Sequence, residues 1–437
     1  MKWLWDASPL TAIALLTAAN MQPPKPNYDE SRVPAYVLPD PLIAIDGTRI
    51  STSKGWLDKR RPELIRLFEE NVYGRSPGEP KSLSFQTLSV SRNALAGTAV
   101  RKQVRAQFSA VAGGPAMTIL MYLPAGAKEP VPVFVGLNFD GNQTVQDDPG
   151  ILLPTGWMPP APGVENHKAT EATRGADAHS WPVSMILARG YGVATVYAGD
   201  IAPDHADNYQ EGVFPLFYRP GQAKPDADQW GTIAAWAWGL SRIVDCLETD
   251  PDVDKRRLIV IGHSRLGKAA LWAGAQDTRF ALVVSNESGE GGAALARRKF
   301  GERTEDLNTH FPHWYCANYR RYNGKEGALP VDSNELLALV APRPLYVASA
   351  EEDLWADPKG EFLGAKGATP VYRLFGEEGL GAEAMPPPEQ PVMTIVGYHV
   401  RHGKHAITEY DWTQYISFAD KQLKRNAALD VPVSHIK

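Results

Sequence analysis

Cysteine is nearly absent from this chain, with two in 437 residues, Cys246 and Cys316. Two cysteines allow one bridge at most and exclude a small disulfide-stapled fold. No apolar run reaches the roughly 20 residues that a membrane-spanning helix needs. Basic residues are not in excess: 45 Lys and Arg stand against 50 Asp and Glu, a net charge of −5. No basic stripe points to nucleic acid, and no long acidic tail points to a solvating region. Internal repeats are missing, as is any linker long enough to divide the chain. What remains is ordinary globular composition, 43% hydrophobic and 22% charged, on a chain longer than an average domain. That suits an enlarged α/β fold.

At the N-terminus Lys2 is followed by an apolar stretch, residues 10–19, and then by small residues. This resembles a signal peptide, although Asp6 fits poorly in the segment that should be positive. The expectation is export, to the outside or the periplasm; the alternative is an untidy N-terminal arm or a misplaced start codon. Residues 20–42 carry many prolines and read as an extended lead-in. The expected division is therefore 1–40, signal-like segment and lead-in, then 41–437, one catalytic domain.

Hydrophobic patterning predicts a helix over 56–70. Strands at 83–91, 99–108 and 117–123 alternate well enough to be antiparallel and half exposed. After them the pattern becomes strand, helix, strand: buried strands at 131–137, 192–197, 258–261, 281–285, 345–348 and 392–398, an Ala- and Trp-rich helix at 232–247, and a closing helix at 409–425. This alternation predicts a mostly parallel sheet with helices on both faces. Reactive residues should gather beyond the carboxyl ends of its strands. Long inserts near 144–185 and 289–340 should build the rim of the site.

The most specific segment is Gly262-His263-Ser264-Arg265-Leu266-Gly267-Lys268. An apolar β-branched strand precedes it and a helix-forming run follows. Strand, Gly-x-Ser, helix is the layout of a nucleophile elbow, which exposes a serine hydroxyl at the sheet edge beside the free N–H groups of a helix N-terminus. The usual second glycine is displaced by one position, Leu266 standing in its place. Arg265 directly after the serine puts a cation within reach of a developing oxyanion. A bland alternative is a strand-to-helix turn with a serine N-cap.

A serine attacking an ester near neutral pH needs a base, and the base needs an orienting acid. The α/β-hydrolase order is serine, acid, histidine. Ser264 follows one strand, Glu287 ends the next, Asp353 follows the one after, and His399, His402 and His405 follow the last. His399 falls in or at the strand and should point into packing. His402 and His405 both lie in the loop before the closing helix, and His405 is the preferred base. Glu287, in a tight Asn-Glu-Ser-Gly turn, and Asp353, at the usual acid location, both remain candidates. Glu351 and Glu352 read as solvated loop.

The Gly-His-Ser-Arg-Leu-Gly-Lys run strongly resembles that of the glucuronoyl esterases, carbohydrate esterase family 15. Supporting segments are 56–77, Trp181-Pro182-Val183, Arg189-Gly190-Tyr191, Ser285-Asn286-Glu287-Ser288-Gly289, Phe311-Pro312-His313-Trp314 and Gly403-Lys404-His405. The resemblance covers about residues 40–425. It implies an α/β-hydrolase fold and a carboxylic ester hydrolase that splits the ester between glucuronic acid of xylan and lignin alcohols. It implies Ser264 as nucleophile, His405 as base, Arg265 in the oxyanion hole, and Glu287 and Asp353 as the two acid positions. Lys268 would contact sugar hydroxyls, with Glu302 and Trp355 as further sugar contacts. An indole face suits the apolar face of a pyranose; the competing reading of Trp355 is core packing. His263 stands where fungal members have cysteine, so their bridge to the histidine region cannot form here. The inserts look bacterial. No metal, cofactor, nucleic acid or membrane partner is expected, and a monomer is the default. Two other readings are an acetyl-xylan or broad carboxylesterase, and a non-catalytic sugar-binding relative.

Overall fold

The computed structural model describes residues 25–111 and 113–427. The signal-like stretch lies outside the described residues. The described part of the lead-in has one short 3-10 turn, Glu30–Arg32.

In chain order the strands are β1 (Ser84–Asn93), β2 (Ala99–Gln107), β3 (Ala116–Pro124), β4 (Val131–Asn138), β5 (Val164–Glu165), β6 (Lys168–Ala169), β7 (Gly192–Tyr197), β8 (Val253–His263), β9 (Phe280–Asn286), β10 (Leu345–Ala350), β11 (Val392–Met393) and β12 (Val396–Arg401). Ten of them form one sheet in the order β1-β2-β3-β7-β4-β8-β9-β10-β12-β11. The run from β7 to β12 is parallel, while β1, β2 and β3 join it as antiparallel neighbours. The small hairpin of β5 and β6 sits in the first insert.

The central strands are apolar at consecutive positions because both of their faces are covered. Val133, Val135, Leu258 and Val260 face one core with Trp236 and Trp272; Phe134, Ile259 and Ile261 face another with Trp181 and Trp412. Each large side chain buried this way is worth about 1.5–3 kcal/mol, so both layers stabilise the sheet. The helices Thr232–Leu247 and Arg265–Gln276 supply the first layer, and Val183–Ala188 with Glu409–Ala427 supplies the second.

Three expectations need correction. β3 is buried along nearly its whole length rather than half exposed, because it pairs on both edges and lies under helix-covered core. The helix at 56–70 runs on from Ser53 to Tyr73, with π turns at Trp56–Arg60 and Glu69–Tyr73. The single strand at 392–398 is two: β11 folds back antiparallel on β12, which continues to Arg401. Cys246 and Cys316 are both free and buried, so the one bridge their number allows is not made.

Candidate active site

Ser264 leaves the end of β8 with φ 56° and ψ −132°, a conformation that costs a non-glycine residue about 1–3 kcal/mol. The chain must turn from strand to helix within that single residue. A side-chain carbon on Gly262 would lie 2.1 Å from the Leu266 carbonyl oxygen, and one on Gly267 would lie 3.1 Å from Ser288 Cβ. The first helical turn thus crosses the strand at 267, which accounts for the displaced glycine. The elbow is held by Ser264 N donating to the Asn286 carbonyl at 2.9 Å, and by the amides of Gly267 and Lys268 donating to Ser264 O.

Because β8, β9, β10 and β12 are parallel neighbours, the residues after them meet at one edge. His405 Nδ1 lies 2.6 Å from Asp353 Oδ2 and 3.1 Å from Glu287 Oε2. Both acids therefore reach the same imidazole nitrogen. Burial disfavours a charged ring, but hydrogen bonds to Asp353 and Glu287 and the charges of those two acids outweigh it and push His405 up to about 10. Burial pushes Glu287 up to about 7, against the pull of His405 and Arg401.

The other two histidines do other things. His399 is fully buried. Its Nε2 donates to Asp411 at 2.8 Å, so its Nδ1 accepts from the Tyr346 hydroxyl at 2.9 Å. His402 pairs with Glu351 at the surface. His263, ahead of the serine, packs its ring 4.5 Å from that of His405, and its Nδ1 pairs with Asn286 Oδ1 at 2.5 Å. Burial, then the neighbouring His405 charge, pushes His263 down to about 3, so it is a neutral ring at the back of the base.

Arg401, absent from the sequence-based candidates, organises this edge. Its guanidinium bonds Glu287 Oε1 at 2.6 Å and Asp411 Oδ2 at 3.0 Å, and donates to the carbonyls of His402, Lys404 and Ala406. Glu287 closes the circuit by accepting from Ala406 N at 3.0 Å. The His405 loop is thus tied on both sides. The rule that reactive groups collect beyond strand ends would have pointed to Arg401, had the last strand been read to its end.

Arg265 and Lys268 are three residues apart on one helix, which places them on one side of it. Arg265 Nε lies 2.6 Å from Asp204 Oδ2, and its guanidinium stands 4.4 Å from the Phe139 ring. Asp204, a second residue missed in the sequence, also accepts from His313 Nε2 and Trp314 Nε1, both at 2.8 Å. Those bonds hold it below its ordinary value despite its burial. Lys268 is buried; its Nζ donates to Glu302 Oε2 at 2.6 Å and to the Glu290 carbonyl at 2.5 Å. Trp355 Nε1 donates to Glu302 Oε1 at 3.1 Å. Trp355 is half-buried and lies outside both cores, so Lys268, Glu302 and Trp355 form one polar group.

A cavity of about 260 Å³ opens beside His405 and His263, walled by Phe139, Trp181, Ile407 and Asp177 among others. None of Lys268, Glu302 and Trp355 lines it. Among the described residues, His263, Glu287 and His405 bring donor atoms within 4.8 Å of one another, the spacing of a metal trio. Two of the three already bond each other, and Arg401 holds the remaining Glu287 oxygen.

A family model described as glucuronyl esterase, fungi, matches residues 165–376. Carbohydrate esterase MZ0003, from an unknown prokaryotic organism, is 49% identical over 427 residues, covering 95% of this chain and 98% of the relative. The solved structure of a glucuronoyl esterase from Solibacter usitatus is 52% identical with a TM-score of 0.86, over 90% of this chain and 99% of that one. A promiscuous CE15 esterase from a marine bacterial metagenome is 50% identical with a TM-score of 0.86, over 91% of this chain and 100% of its own.

Proposed function

The chain belongs to carbohydrate esterase family 15, the glucuronoyl esterases, and we propose that it is a serine esterase that hydrolyses the ester between the (4-O-methyl-)glucuronic acid groups of glucuronoxylan and lignin alcohols. The observation that carries this reading is the pair of cations on the nucleophile's own helix. Arg265 and the buried Lys268, with Glu302 and Trp355, offer hydrogen bonds to a hydroxyl-rich uronoyl ester and positive charge to the acid it releases. A small acetyl group would use Arg265 at its carbonyl oxygen but none of Lys268, Glu302 and Trp355.

The chemistry is two-step acyl transfer. Neutral His405 takes the Ser264 proton, and Oγ attacks the uronate carbonyl. The Arg265 guanidinium and its backbone N–H stabilise the oxyanion. His405, oriented by Asp353 and Glu287, then protonates the leaving alcohol. Water, activated by the same imidazole, releases the acid and restores Ser264. No redox step or bound metal enters this sequence. A polymeric substrate fits export of the enzyme, and among the described residues no helix is long and apolar enough to cross a membrane.

Hydrolysis of benzyl glucuronate beside acetylated xylan tests the reading, with wild type and Ser264→Ala. The expected result is cleavage of the glucuronate with little acetyl release, lost by at least about 10⁴-fold in the variant. Acetyl release alone would transfer the assignment to an acetyl-xylan or broad carboxylesterase. The similarity to an esterase described as promiscuous makes some activity on other esters an expected accompaniment.

A further inference from the structure

The extended lead-in runs past Glu302 and Trp355. Gly301 N donates to the Asn27 carbonyl at 2.8 Å, and the next residue, Glu302, donates its N–H to the Trp355 carbonyl at 2.8 Å. These two bonds form a ladder from the lead-in through Glu302 to Trp355. Tyr28 sits on it directly after Asn27, and Leu354 directly before Trp355. Both are exposed, Tyr28 at 48% and Leu354 at 41%, among the few large hydrophobic residues that are.

The Tyr28 ring has an aromatic neighbour. It meets Phe300 edge-on with centroids 6.3 Å apart. The segment is pinned by Glu30, whose carboxylate pairs with Arg298 at 2.5 Å and with Lys359 at 2.8 Å. Asp29 accepts from Ser31 N at 2.9 Å, and its own N–H donates to Asn27 Oδ1 at 3.0 Å. Burial, then the charges of Asp306 and Asp353, raise the Tyr28 hydroxyl above its ordinary value, which puts it in the field of the acid that orients His405. An exposed aromatic face on a pinned segment beside a sugar site loses little entropy on stacking.

We propose that Tyr28, with Leu354, is a platform next to the Lys268–Glu302–Trp355 group that takes a xylopyranose of the main chain from which the glucuronate branches. Xylopyranose carries no C6 substituent, so its ring presents flat apolar faces. It is uncharged, and the platform offers it no ion pair. This rests on the glucuronoyl esterase reading and deepens it.

The test is binding to Ser264→Ala protein, by calorimetry, of glucuronic acid alone and of glucuronic acid carried on xylotriose. The expected result is about tenfold tighter binding of the xylotriose-borne acid, a gain lost in Ser264→Ala/Tyr28→Ala and kept in Ser264→Ala/Tyr28→Trp. Thermal unfolding checks that each variant is folded. No gain from the xylose units, or a gain that survives Tyr28→Ala, overturns the proposal. Turnover of benzyl glucuronate by the wild type reads the esterase assignment separately, so the failure of one is distinguishable from the failure of the other.

Discussion

His405 Nδ1 lies closer to Asp353 than to Glu287, 2.6 Å against 3.1 Å. The two carboxylates also differ in what else they hold. Asp353 has one weak further contact, from Ala356 N at 3.4 Å, whereas Glu287 is bound by Arg401 and by Ala406 N. One acid is committed to the imidazole, the other to the loop that carries it.

The expected outcome is a division of labour. Asp353→Asn should lower kcat by about 10²–10⁴-fold with little change in stability. Glu287→Gln should cost less in kcat but lower stability by about 1–3 kcal/mol, because a charge-assisted bond to buried Arg401 is lost. Steady-state kinetics with denaturant unfolding of both variants checks this. A larger kcat loss in Glu287→Gln would reverse the assignment.

The pH profile follows from the same contacts. The base is the neutral ring, and both carboxylates favour the charged ring, which is why His405 is held up to about 10. kcat/KM should therefore rise with pH along a limb placed above the ordinary imidazole value. That limb belongs to the coupled His405–Asp353–Glu287 group rather than to one residue. Removing a carboxylate lowers the pKa, so in Asp353→Asn the limb should move to lower pH while its plateau falls. A limb that stays in place would show that Asp353 does not set it.

Arg401→Met should destabilise the protein by about 3–5 kcal/mol, since it leaves Glu287 and Asp411 buried without their cation. Arg401→Lys keeps the charge but cannot reach two acids and three carbonyls at once. It should recover part of the stability and less of the activity. Unfolding midpoints and kcat measured together separate the two effects.

For Lys268 the expected signature is in KM. Lys268→Met removes the contact proposed for the acyl group and strands Glu302, which is buried. The double variant Lys268→Met/Glu302→Gln relieves the stranded charge. It should regain stability but not affinity, with KM for benzyl glucuronate still raised about tenfold or more. Recovery of KM in the double variant would make the Lys268–Glu302 pair purely structural.

Much of the sheet was legible because its strands are continuous apolar runs bounded by turns. The strand 192–197 and the helix 232–247 fall where patterning put them. The end of the last strand was legible only as far as His399, which is buried on β12 between Tyr346 and Asp411 as its place in the strand suggested; Arg401 looks like loop by polarity, yet it too is buried on β12, through Asp411. The choice between Glu287 and Asp353 was equally invisible. It depends on the register of β9, β10 and β12, which brings both acids to one nitrogen. Asp204 was hidden for a similar reason: its partners Arg265, His313 and Trp314 come from a helix and a distant insert.

The strained backbone at Ser264 exists only while β8, its helix and the Asn286 carbonyl are docked together. A chain that has lost that docking lets the serine relax into an ordinary conformation, with no amide array beside its hydroxyl. Covalent labelling by a serine-directed phosphonate is then a molecular head-count. The labelled fraction of a preparation equals the fraction correctly assembled, and specific activity can be expressed per competent molecule rather than per milligram.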